Sequence, residues 1–147
     1  ACVKLGADKG INYRTQGFLE EIKAATGGKG VNVILDMVGG DYVPRELKSL
    51  ADEGRLVFIA SLGGAKAEID IFEIQRRRIV ITGSTLRPRP VEFKGAIARR
   101  LKEVIWPLIE AGRIKPVIYK TFPLARASEA HRLMETSQHI GKIVLTV

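Results

Sequence analysis

The stretch that decides the fold is Gly27–Tyr42, which reads GGKGVNVILDMVGGDY. Its centre, Val31–Leu35, is mostly apolar and rich in β-branched residues, which is typical of a strand in a parallel sheet. An acid, Asp36, and a pair of glycines follow that strand. Ligands of open α/β sheets bind at the carboxyl ends of the strands. The stretch therefore predicts a strand and one wall of a ligand site, with Asp36 anchoring the loop rather than transferring protons.

The segments on either side repeat an alternation of strand and helix. The predicted order is strand Ile11–Tyr13, helix 17–30, strand Val31–Leu35, helix Asp41–Gly54 and then strands 55–60 and 79–84. In the second helix, Asp41 is expected to cap the start and Gly54 to mark the end. The units recur about every 20 to 25 residues, as βαβ arrays require. This predicts a doubly wound α/β sheet, Rossmann-like, with helices on both faces.

The last third of the chain differs in character. Residues 91–112 form a predicted long helix that Pro107 should kink or restart. An extended segment (113–123), a short helix (124–139) and a final strand (141–147) follow.

Composition limits the classes of protein. Hydrophobic residues make up 46%, and no apolar run is long enough to cross a bilayer. The single cysteine, Cys2, cannot form an internal disulfide or a thiolate metal cage, so we expect a reducing, cytoplasmic setting and no metal site. With Lys+Arg at 24 and Asp+Glu at 16, the net charge is +8, which is compatible with nucleic acid or phosphorylated ligands. The densest basic run, Arg76–Arg78, is predicted to be a solvated turn before a buried strand.

The chemistry is expected at three strand ends, which read DMVGG, ASLGG and GSTLRPRP. Glycines let a backbone approach a ligand closely. Arg87 and Arg89 follow the third strand and are candidates for contact with an anionic ligand. The chain lacks both G-x-G-x-x-G and the P-loop pattern. His131 and His139 have no acid at metal-binding spacing and are expected at the surface.

Taken together, the ordered segments resemble a known family. The stretches KLGADKGINYR, GVNVILDMVGGDY, GRLVFIASLGG, ITGSTLRPR and IGKIVL resemble the zinc-independent quinone oxidoreductases of the medium-chain dehydrogenase/reductase superfamily, across essentially the whole chain. The resemblance implies a two-domain subunit of over twice this length, with an N-terminal GroES-like catalytic domain. Residues 1–92 would be the later part of the dinucleotide-binding domain. Residues 93–147 would be the connecting helix and a tail returning to the catalytic domain.

The resemblance also implies roles for individual residues. Tyr13 would lie near the adenosine ribose and 2′-phosphate of NADPH. The nicotinamide end of the cofactor would contact residues that follow three strands: Val38 and Gly39, Ser61 and Leu62, and Thr85, Leu86 and Arg87. Lys142 is a further candidate at the cofactor cleft.

The implied reaction is hydride transfer from NADPH to a quinone or conjugated enone in a homodimer without zinc. No catalytic residue is assigned. The piece is expected to be a fragment that is inactive alone and binds NADPH weakly. Two alternatives stay open: a zinc-dependent alcohol dehydrogenase of the same superfamily, and a basic nucleic-acid-binding or interaction module on a dinucleotide-binding fold.

Overall fold

The structure is a computed structural model that describes all 147 residues. The chain divides into two compact units, Cys2–Arg89 and Pro90–Val147. The first unit contains α1 (Phe18–Ala25), β1 (Val31–Asp36), α2 (Val43–Ser49), β2 (Leu50–Phe58), α3 (Ile71–Arg77) and β3 (Val80–Gly83). The second contains α4 (Val91–Val104), α5 (Trp106–Glu110), β4 (Ile118–Pro123), α6 (Ala127–Glu135) and β5 (Lys142–Thr146).

The first unit is built on a three-stranded parallel sheet in the order β1-β2-β3. Ile34, Leu56 and Ile81 lie side by side in its register. Each crossover between neighbouring strands carries a helix, α2 or α3. The predicted Rossmann-like α/β fold with a parallel sheet is confirmed.

The core lies on one face of that sheet. Its buried residues are Val43 and Leu47 from α2, Leu50 and Leu56 from β2, and Ile79 before β3. Ile34 of β1 packs against this core. Side chains alternate along a strand, so its neighbours Val33 and Leu35 face the other way, and they are 55% and 66% exposed. The other face of the sheet is thus exposed at these two positions.

The predicted strand Ile11–Tyr13 is absent, and a turn begins at Tyr13 and continues through Thr15. The main-chain N–H of Arg14 donates to the Asn12 side chain, and the N–H groups of Thr15 and Gln16 donate to the Asn12 carbonyl. These local bonds occupy the groups that a strand would offer to a neighbour. No neighbouring strand pairs with this segment, so the local turn prevails.

The second predicted helix ends earlier than expected and is not capped by Asp41. A 3-10 turn, Gly40–Tyr42, leads into α2, which has no side-chain cap. The helix stops at Ser49 rather than Gly54, because Leu50 is extended and pairs with Val31 of β1. Pairing with a neighbouring strand therefore overrides the helical pattern.

The Arg76–Arg78 run is also corrected. It closes α3, a helix that the sequence reading missed and that Asp70 caps through its side chain. Arg77 is 8% exposed, so it is part of the interior and not of a solvated turn. Arg78 takes a left-handed conformation at the helix end and pairs with Glu53 at 3.0 Å. The strand that follows is not fully buried, since Val80 is 41% exposed.

The second unit pairs β4 with β5 in parallel, with α6 as the crossover. Phe122 of β4 and Ala130 of α6 are its buried apolar residues. The predicted break near Pro107 is confirmed, because α4 ends at Val104 and α5 starts at Trp106 with a proline in its first turn. No helix in either unit is both long enough and apolar enough to span a membrane.

Candidate functional site

The loops that follow β1, β2 and β3 enclose a cavity of about 670 Å³ within the first unit. Its walls are mainly small or apolar residues, including Gly39, Gly40 and Val43 from the first loop and α2. The second loop contributes residues between Ile59 and Ile69, and the third contributes Ser84, Thr85 and Arg89. The carboxyl ends of the three strands therefore line one cavity, at the edge where the sequence predicts a ligand site.

Asp36 fixes the first loop. Its carboxylate is 2% exposed and accepts the main-chain N–H of Val38 at 2.6 Å on Oδ1 and that of Gly39 at 2.8 Å on Oδ2. Both oxygens are thus committed to consecutive amides, which supports the expected anchoring role. Because one buried side chain accepts both amides, the start of this loop is held at two adjacent positions.

The first loop is joined to the second by main-chain contacts. The N–H of Leu62 donates to the Met37 carbonyl at 3.1 Å, and the N–H of Gly63 donates to the Val38 carbonyl at 2.7 Å. Gly39 and Gly64 form an isolated parallel bridge. A Cβ at Gly39 would stand 2.5 Å from the Gly64 carbonyl oxygen, and Gly39 has a φ of 68°. Both the space and the backbone conformation therefore require glycine there.

The third loop continues the sheet before it turns away. The N–H of Ser84 donates to the Phe58 carbonyl at 2.9 Å, so this residue extends the contact between β2 and β3. The next residue, Thr85, lines the cavity, as does Arg89. Leu86 is 51% exposed and, like Arg87, is not part of the lining.

The structure thus brings together three of the residues expected at the cofactor, Gly39, Ser61 and Thr85. Val38 supports this wall through its main chain, whereas Leu62 is 83% exposed beside it. Tyr13 lies in a turn, is 62% exposed and does not line the cavity. Lys142 begins β5 in the second unit.

Two features of the site escaped the sequence reading. Lys66 lines the cavity, and it and Arg89 are the charged residues in the lining. The sequence feature that could have predicted the role of Lys66 is its place in the loop GGAKA, after a strand end. Behind the first loop, Glu46 of α2 is 7% exposed. The pKa of Glu46 is raised to about 7, first by burial and then by the charge of Asp36. Nothing in the sequence distinguishes Glu46 from a surface glutamate.

Comparison with known proteins agrees with this geometry. The zinc-binding dehydrogenase family matches residues 5–145. A 2-haloacrylate reductase from a Burkholderia species is 33% identical over 146 residues, which are 97% of this chain and 43% of the reductase. Quinone oxidoreductase-like protein 2 of Bos taurus is 31% identical over 143 residues, covering 97% of this chain and 40% of that protein.

A solved structure shows the same likeness in three dimensions. The crystal structure of an NAD-dependent alcohol dehydrogenase superposes with a TM-score of 0.75 at 32% identity, over 99% of this chain and 39% of that one. The chain spans less than half the length of the curated relatives it matches. It belongs to the zinc-binding dehydrogenase family of the medium-chain dehydrogenase/reductase superfamily, with the quinone-oxidoreductase-like proteins among its relatives.

Proposed function

We propose that this chain supplies the nicotinamide-facing loops of an NADPH-dependent oxidoreductase that reduces a quinone or a conjugated enone. The observation that carries the proposal is the cavity of about 670 Å³ at the carboxyl ends of β1, β2 and β3. A parallel α/β sheet binds dinucleotides at that edge. Walls of small and apolar residues suit a flat ring with few polar groups.

The residues present fit such a group. Glycine at position 39 keeps the first wall open, since a Cβ there would meet the Gly64 carbonyl oxygen at 2.5 Å. Ser61 and Thr85 place hydroxyl groups on the other two walls. The bound nicotinamide would supply the hydride, and these loops would orient the ring and keep water from it. The other proposed cofactor contacts are Tyr13, Leu62, Leu86, Arg87 and Lys142.

The charges of the lining favour an anionic partner. Lys66 and Arg89 line the cavity, and no aspartate or glutamate does. A phosphate of the cofactor or a carboxylate on the substrate would meet this charge favourably. NADPH, the cofactor that the family resemblance implies, is our preferred cofactor. Tighter binding of NADH than of NADPH would contradict this choice.

A binding experiment tests the proposal. We expect millimolar NADPH to shift the amide signals of the three loops in a ¹H–¹⁵N correlation spectrum of the chain. Gly39→Ala should weaken this response at least about tenfold, because the new Cβ displaces the loop. Gly27→Ala is the matched control: its φ is 58°, close to the 68° of Gly39, but nothing lies within 4 Å of the added Cβ. Shifts confined to other regions, or none, would refute the site.

The whole-protein consequences are also proposals. We assign residues 1–92 to the later part of a dinucleotide-binding domain and residues 93–147 to the connecting helix and a segment of the catalytic domain. The chain alone should not consume NADPH with a quinone, and turnover above background would contradict this.

β3 is an edge strand of its sheet, so its outer edge is available to a second copy. We propose a homodimer, which light scattering would show as about twice 16.2 kDa.

A zinc-dependent alcohol dehydrogenase remains a second candidate, because the matching family is described as zinc-binding. Metal analysis and alcohol oxidation by the longer protein would separate it from the first.

The nucleic-acid alternative has less support, because Arg77 and Arg78 of the densest basic run are engaged with acidic partners. Steep, salt-dependent oligonucleotide binding without any NADPH response would reverse that preference.

A further inference from the structure

Two buried carboxyl groups belong to the two elements that flank the first loop of the site, β1 and α2. Asp36, at the end of β1, is 2% exposed and uses both oxygens to accept the amides of Val38 and Gly39. Glu46, on α2, is 7% exposed, and its Oε2 is buried without a hydrogen-bond partner. We call Asp36 and Glu46 the carboxyl pair. A buried polar oxygen without a partner is costly and calls for an explanation.

The positive charges nearby do not neutralise the carboxyl pair. Arg45 is the cation that acts on Glu46, and its influence is the smallest of those on that group. Its guanidinium lies over the rings of Phe18 and Tyr42, at 5.0 and 4.6 Å from their centroids. Arg77 is occupied elsewhere, by Leu47 and Leu50 carbonyls and two other acids.

Other charged groups on the elements packed against α2 are paired or exposed. The ion pairs are Lys9–Glu21 at α1, and Arg77–Asp52 and Arg78–Glu53 at β2. The exposed charged residues on these elements, and on the turn before α2, are Glu20, Lys23, Asp41 and Arg55. Asp36 is the acid whose charge acts on Glu46, and two ionised carboxylates at this depth would repel strongly.

We propose that Glu46 is a positioning residue of the site: it stays protonated behind the first loop, which leaves Asp36 aligned on the amides of Val38 and Gly39. Loss of that proton would place two negative charges together in the interior. One carboxylate must then move toward solvent. Because Asp36 is bonded to two consecutive amides, its movement would carry the first loop and its contacts with Gly63 and Gly64. The importance of this loop for the reaction rests on the proposed function; the coupling of Glu46 to the loop does not.

The raised pKa of Glu46, about 7, agrees with this geometry, because burial and the charge of Asp36 both oppose ionisation. The loop should therefore respond to pH in the neutral range. His131 and His139 both belong to the second unit. A variant at Glu46 separates any contribution of theirs from that of the carboxyl pair.

The test follows the amide signals of Val38 and Gly39 from pH 5.5 to 8.5. In the wild-type chain both should titrate with one midpoint near 7, together with the side-chain carboxyl carbon of Glu46. Glu46→Gln keeps the shape and a hydrogen-bond donor but cannot ionise, so the two amides should become flat across this range. Glu68→Gln, an exposed acid in the loop after β2, is the control and should titrate as wild type.

Two results would overturn the inference: loop titration that persists in Glu46→Gln, or a Glu46 carboxyl carbon that titrates near its ordinary value in the wild type. The second measurement needs no variant, so the inference remains testable even if Glu46→Gln folds poorly. NADPH binding at pH 6 and pH 8.5 separates this inference from the proposed function. Loop titration without NADPH binding would refute the cofactor site alone, whereas binding without loop titration would refute the role of Glu46 alone.

Discussion

Replacing Arg77 should destabilise the first unit more than replacing any other arginine of its run. Its guanidinium donates to the Leu47 carbonyl at 2.9 Å and to the Leu50 carbonyl, both at the end of α2. It also reaches Glu73 at 2.8 Å and Asp52 at 3.2 Å. One side chain of α3 therefore satisfies the carbonyls at the point where α2 gives way to β2.

The expected loss follows from these contacts. Arg77→Met keeps the apolar stem but removes every donor, leaving two main-chain carbonyls buried. Each unsatisfied buried group costs about 1–3 kcal/mol. Asp52 is 64% exposed and regains water, so its ion pair contributes little, whereas the Glu73 side chain is 20% exposed and loses more. We expect a total decrease of about 3–5 kcal/mol in the free energy of unfolding.

Urea unfolding, followed by far-UV circular dichroism, measures this decrease. Arg76→Met is the matched control, because Arg76 is the preceding residue of α3 and is exposed; its effect should stay within about 0.5 kcal/mol. Arg77→Lys keeps the charge without the planar fork and should fall between the two. If Arg77→Met does not fold, Arg77→Lys still gives a measurable value. Equal stabilities for the Arg77→Met and Arg76→Met variants would refute the reasoning.

Three further predictions concern other elements of the first unit. Burial raises the pKa of Glu46 from 4.5 to about 7, so the wild-type chain should lose stability as pH rises through that range. Relative to wild type, Glu46→Gln should therefore gain about 2–3 kcal/mol between pH 5 and pH 8 in urea unfolding, and a constant difference would contradict this. Gly39→Ala should lower the free energy of unfolding by about 1–3 kcal/mol more than Gly27→Ala, because only the former meets backbone at 2.5 Å; equal losses would show that loop contact is unimportant. Asp70→Ala should cost about 1 kcal/mol in thermal unfolding by removing the α3 cap, and Asp70→Asn should recover most of it.

The sequence was sufficient where the signal is local. The run Val31–Leu35 lies within β1, which extends one residue further, and the acid that follows anchors the loop as expected. Asp70 with Glu73 is also a local signal, a helix start with an acid three residues later, and α3 could have been predicted from it. The local sequence is therefore sufficient to predict α3.

The sequence was insufficient where distant segments decide the outcome. The helical pattern of Leu47, Leu50 and Ala51 continues past Ser49, yet the chain leaves the helix there because Leu50 pairs with β1 and is held by Arg77. The competition between helix and strand at Leu50 is decided by residues about 20 to 30 positions away along the chain. Rules based on local hydrophobic patterns do not include contacts at that separation. The burial of Arg77 has the same origin: carbonyls freed at the end of α2 create the need for a donor.

The glycines around β1 show why a site is harder to predict than a strand. Gly27, Gly28, Gly30, Gly39 and Gly40 all have positive φ, so each favours glycine for conformational reasons. Nothing lies within 4 Å of an added Cβ at Gly27 or Gly28, whereas one at Gly30 would stand 2.5 Å from the Leu50 carbonyl oxygen. At Gly39 the obstacle is the loop after β2. The sequence marks all five as turns, but only the contact with a second loop makes one of them a wall of the site, and that contact depends on the assembled sheet.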